Sequence, residues 1–198
     1  MIDSSAIAKA LSGIAAHTAT ASEELCSADG ALGDGDLGIT VSKGFAEAAG
    51  AELPNDVGIA LLTVAKAFQR VSSSSYGTLL ATGFMAAAKL EKGKTGIAPE
   101  DIPGLVAAAR DAMMARGKGN LGDKSVLDSL DAVAEALRDT PRGDMIDTAI
   151  TAAAESIERF RDQPSKLGRA RMFGEKSVGL ADPGQLAFLR ILEGLNGT

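Results

Sequence analysis

The sequence has no tryptophan, one tyrosine (Tyr76) and six phenylalanines, so aromatics make up 4% of its 198 residues. Rings that stack on bases are scarce, and a net charge of -6 with a pI near 4.9 lacks the basic stripe of a nucleic-acid surface. A single cysteine, Cys26, excludes an internal disulfide and reads as a structural thiol on a helix. A single histidine, His17, reads as a helix-face residue and excludes a histidine triad or a multi-histidine zinc site. Apolar runs stop well short of the roughly 20 residues a bilayer needs, and the opening MIDSSAIAKAL lacks a basic stretch followed by an apolar one. We therefore expect no membrane span and a cytoplasmic protein.

What is present is ordinary globular composition, 45% hydrophobic and 23% charged, at a length where one domain, residues 1–198, is the default. Apolar residues recur at three- and four-residue steps with almost no strand-like alternation, which predicts an all-α fold. Eight amphipathic helices follow from the stripes, the first through Ile7, Leu11, Ile14, Ala21 and Leu25 behind a Ser4 or Ser5 cap, and the last beginning Asp182, Pro183. Gly117 suits the left-handed position closing the fifth, and Asp123 opens the sixth. Four connections rich in Gly, Ser and charge stand out at residues 29–38, 72–78, 117–125 and 164–184. In an antiparallel bundle or barrel, alternate connections share an end, so these loops can converge on one site.

Residues 33–38, GDGDLG, match the dinucleotide pattern GxGxxG, but they follow a helical stripe rather than a strand, and their aspartates would repel a pyrophosphate. Asp29, Asp34 and Asp36 instead place three carboxylates within eight residues, with glycines that let the backbone fold tightly. Oxygen-only ligands suit Mg²⁺, and the acid spacing fails the EF-hand pattern. A solvated turn in which Asp36 merely caps the next helix remains the other reading of the same letters. GKGNLGDKS is no P-loop, since Asp123 separates Gly122 from Lys124; it offers a flexible backbone and a cation at Lys124 beside a nucleotide, or else an ordinary capped turn. The serines at 72–75 offer hydroxyls and N–H groups to an anion, or only interrupt a helix.

In order and spacing, GDGDLG, YGT at 76–78, GDKS at 122–125 and GRARMFGEKSVGLADPG at 168–184 resemble the nucleotide-binding L subunit of dihydroxyacetone kinases, the DhaL or DAK2 domain family. The last block is similar to that family's GRASYLGERSxGxxDPG pattern. The resemblance implies an eight-helix barrel holding ADP or ATP at one end through two Mg²⁺ ions. It assigns Asp29, Asp34 and Asp36 as magnesium ligands, and Gly38, Thr40, Ser74, Ser75, Gly117, Arg169, Asp182 and Gly184 as nucleotide contacts, with Val126 lining the adenine slot. Leu37 stands where the family commonly has His, Val126 where Met is common, and the serine loop is shorter than the family's.

It further implies a phosphotransferase that works with a separate K-type subunit holding dihydroxyacetone or a related short ketose, and that is inactive without it. The donor would be free ATP, or resident ADP rephosphorylated by a phosphohistidine carrier protein. A non-catalytic, nucleotide-binding regulator of another protein is the alternative, and a homodimer stays open.

Overall fold

The computed structural model describes residues 1–71 and 74–196. Nine α-helices form among them: α1 (Ser4–Thr20), α2 (Ser22–Leu32), α3 (Leu37–Ala49), α4 (Val57–Val71), α5 (Ser75–Glu91), α6 (Ile102–Gly117), α7 (Val126–Ala136), α8 (Met145–Phe160) and α9 (Pro183–Glu193). No described residue lies in a strand; one isolated antiparallel bridge, Ile2 to Ile97, ties the start of the chain to the α5–α6 connection. No described helix is long and apolar enough to cross a membrane.

The all-α expectation holds, and the extra helix comes from the first predicted one, which divides at Ala21 into α1 and α2. Both Ala21 and Leu25 stay buried through the division. The stripe therefore continues across the bend, and periodicity alone does not reveal it. Eight helices pair in succession, α1 with α3, then α3 through α9 in chain order, and α9 returns to α1 to close a ring, while α2 lies across α3 and α9.

Two clusters fill the ring. Phe45 and Phe68 are fully buried on α3 and α4 and meet edge to face with centroids 5.0 Å apart, with Phe84 of α5 beside both. The second cluster gathers Leu127, Val133, Ala153 and Leu189 from α7, α8 and α9. Neighbouring residues of α9 serve both sides, Ala187 and Ile191 in the first and Phe188 and Leu192 in the second.

Three caps differ from the expected ones. Asp3, not Ser4 or Ser5, caps α1, accepting the Ala6 N–H at 2.9 Å. Lys118 rather than Gly117 takes the left-handed conformation after α6, with φ 53°. Ser125 caps α7 in a reciprocal box with Asp128, whereas Asp123 accepts the Asn120 N–H and closes the turn before it. Each displacement is one or two residues; at the two helix starts, several nearby side chains compete for the same orphan N–H groups.

Candidate nucleotide and metal site

All four Gly- and Ser-rich connections reach one end of the ring and line a single cleft. Its acidic wall comes from α2 and the turn after it. Asp29 sits in the last turn of α2, Asp34 and Asp36 lie in the 33–36 turn, and one carboxylate oxygen from each falls within 4.8 Å of the others. No other set of three or more His, Cys, Asp or Glu converges this way among the described residues. Asp29 also caps α3: its Oδ2 accepts the N–H of Asp36 at 2.9 Å and of Leu37 at 3.3 Å. Asp36 makes no side-chain cap bond of its own, so the capping role that the other reading gave it belongs to Asp29.

Across the cleft, the Arg169 guanidinium forms an ion pair with Asp34. Partial burial, and then the carboxylates of Asp34 and Asp29, push the Asp36 carboxyl above the usual range, with Arg169 opposing. Three hard oxygen donors turned to one point fit a divalent cation such as Mg²⁺.

The opposite wall joins the starts of α5 and α9. Ser74 caps α5, its Oγ accepting the Gly77 N–H at 3.1 Å, and Ser75 opens the helix. Tyr76 donates its hydroxyl to the Gly184 carbonyl at 3.0 Å and lies against Gly184, locking the two turns together. Asp182 caps α9 by accepting the Gln185 N–H at 2.9 Å. Its carboxyl is buried, and that burial raises its pKa to about 7 despite the backbone bonds it accepts. Burial, and then Asp182, also raise the Tyr76 phenol. Gly117 closes the rim from α6, and Val126, at the start of α7, lines the floor.

Of the residues named from the sequence, Asp29, Asp34, Asp36, Ser74, Ser75, Gly117, Val126, Arg169, Asp182 and Gly184 are thus brought together. Ser72 and Ser73, of the serine run, lie outside the described residues. Gly38 and Thr40 do not line the cleft; both are buried on α3. At Gly38 a Cβ would stand 1.9 Å from the Ser22 carbonyl oxygen and 2.9 Å from Cys26 Sγ, so glycine there is what lets α3 lie against α2. Lys124 also departs from expectation: its ammonium turns into the protein, onto carbonyls of the last connection, and does not face the cleft.

Leu79, Met113, Leu127 and Leu167 supply an apolar floor that the motifs did not indicate. The available signal was position: Leu127 and Leu79 are apolar residues in the first and second turns of helices that follow the site loops, and Met113 lies one turn from the end of the helix before one.

The chain is similar to several known proteins. The sequence model of the DAK2 domain matches residues 31–197. The chain is 32% identical over 181 residues to an L-erythrulose 1-kinase of Mycolicibacterium smegmatis, covering 87% of this chain but 32% of that protein. It is 28% identical over 183 residues to the ADP-binding subunit DhaL of the PEP-dependent dihydroxyacetone kinase of Escherichia coli, covering 88% of this chain and 87% of that subunit. A crystal structure of the dihydroxyacetone kinase from C. freundii in complex with AMP-PNP and Mg²⁺ superposes with a TM-score of 0.76 at 24% identity, over 95% of this chain and 33% of that one. The chain thus spans about a third of the larger kinases it resembles and most of the free-standing subunit.

Proposed function

The chain belongs to the DAK2 domain family, and from that premise we propose that it is the adenine-nucleotide-binding subunit of a kinase for dihydroxyacetone or a related short-chain ketose. The observation that carries this reading is the cleft itself: three convergent carboxylates with Arg169 paired to one of them at a charged end, and an apolar floor beside it. Such a floor suits a flat adenine ring, and the charged end suits a diphosphate. Residues 1–198 act as one domain in this reading, since α9 supports both halves of the interior.

Asp29, Asp34 and Asp36 would hold Mg²⁺, two ions by family resemblance, and the bound metal would offset phosphate charge during transfer. The chain's own residues do the rest. Asp29 fixes the start of α3, so the three carboxylates keep their spacing. Arg169 approaches the same point from the facing loop and meets negative charge there. Tyr76 and Gly184 hold together the two turns of the wall facing the carboxylates. Ser74 is occupied in capping α5, and Ser75 presents the first turn of that helix to the cleft.

His17, the one histidine, is bonded to Glu193, 3.1 Å away, on the α1–α9 face and away from the cleft. By family resemblance the ketose would sit on a separate K-type subunit, and the isolated chain would be inactive toward it. The E. coli relative is named for PEP dependence, which favours resident ADP recharged by a phosphohistidine carrier over free ATP as donor. Mixing the chain with a K-type subunit, the ketose, and either ATP or a PEP-fed carrier should yield ketose phosphate only when both proteins are present. Asp34→Ala should abolish the product.

A second reading, a nucleotide-binding regulator without catalysis, is favoured by Leu37 at the foot of the acidic wall and by the short serine loop. ADP binding with no transfer to any ketose in that assay would establish it over the kinase reading.

A further inference from the structure

Lys124 carries its charge to a place that solvent does not reach. Its side chain is fully buried, and its backbone takes φ 59°, in the left-handed region that residues with a Cβ seldom enter. The ammonium donates to three main-chain carbonyls, Arg161 at 2.9 Å, Gln163 at 2.8 Å and Ser177 at 2.8 Å, which uses all three of its hydrogens. Arg161 and Gln163 stand where α8 gives way to the long last connection, and Ser177 ends the 3₁₀ turn Ala170–Ser177. One side chain thus draws together both necks of the excursion that carries Arg169.

Neighbouring bonds repeat the clamp. The Ser165 N–H donates to Ser177 Oγ at 2.8 Å, whose own hydrogen goes to the Gly174 carbonyl at 2.6 Å, and the Lys166 N–H donates to the Asp123 carbonyl at 2.9 Å. Asp182 and Asp162 attract the ammonium, and Arg161 repels it. A buried cation costs far more than a buried aliphatic chain of equal length unless its donors are all bonded, and here the three bonds join segments 37 to 53 residues apart into one unit.

We propose that Lys124 is a positioning residue: by closing the necks of the 161–177 excursion it sets where Arg169 stands opposite the carboxylate wall, and hence how tightly a nucleotide diphosphate is held. The inference rests on the nucleotide reading for its effect on affinity, though not for its effect on the loop. Lys124→Met keeps the aliphatic stem and removes the donors. In calorimetric titration with ADP and Mg²⁺ it should weaken binding by about tenfold or more, the scale of losing a charge-assisted contact.

Because the loss runs through Arg169, Lys124→Met should cost little further in an Arg169→Ala background. A general structural defect would instead multiply with Arg169→Ala, and full multiplication, or wild-type affinity in the single variant, overturns the proposal. Should Lys124→Met fail to fold, Ser177→Ala loosens the same necks and should show the same non-additivity with a loss of about threefold; a full multiplication there overturns it as well. Hydrogen exchange of residues 164–177 should quicken in either variant. If the wild-type chain binds no nucleotide, the function proposed above falls, and the exchange rates alone decide for Lys124, unchanged rates refuting it.

Discussion

Asp182 caps α9 from a buried position, and the two demands conflict. Burial favours its neutral form and raises its pKa to about 7, against an ordinary value of 3.8. A raised folded pKa gives stability that is complete below the unfolded value and is lost as pH climbs through the folded one. In EDTA, urea denaturation should therefore show the wild-type chain losing on the order of a few kcal/mol from pH 4 to pH 8 through this group. Asp182→Asn, which can still accept the Gln185 N–H, should flatten that decline; parallel curves would show that Asp182 titrates normally. The acidic trio behaves differently because it is open to water. In EDTA, Asp36→Asn should raise Tm by about 1–2 °C by relieving repulsion, and it should abolish the further rise that Mg²⁺ and ADP give the wild type. The trio was legible in the sequence because acids separated by glycines in a short turn have little room to part. The inward turn of Lys124 was not, since its direction is set by carbonyls that lie some forty residues further along the chain.

Helices were read more securely than their ends. Stripes such as Val57, Val64 and Phe68 mark a buried face whatever lies beyond it, and all three are buried on α4. What periodicity does not carry is the division at Ala21, the 3₁₀ turn Ala170–Ser177 inside an expected loop, or the identity of the capping side chain. The close approach of α3 to α4 gives the sharpest test at this level. At Gly44 a Cβ would meet the Phe68 ring at 2.1–2.6 Å, and that ring is held between Phe45 and Phe84. Gly44→Ala should cost about 1–3 kcal/mol, seen in thermal melts as a fall of several degrees. Gly104→Ala on α6, where no atom lies within 4 Å of the added methyl, should be neutral or slightly stabilising. Equal losses at the two positions would contradict this account of the crossing.

For the molecule as a whole, the ring gathers alternate connections at one end, which is why four loops distant in sequence share a cleft. That convergence follows from an antiparallel order of helices and was expected; the return of α9 to α1, and α2 lying outside the ring, are long-range outcomes that no local pattern encodes. The chain carries a net charge of -6, so a diphosphate approaching the acidic wall meets repulsion that Arg169 alone only partly offsets. Binding should therefore be conditional on a divalent cation. Calorimetric titration of ADP into the wild-type chain and into Asp34→Ala, each in Mg²⁺ and in EDTA, measures this directly. The account predicts binding only for the wild type in Mg²⁺; equal affinity in EDTA, or in Asp34→Ala, would contradict it.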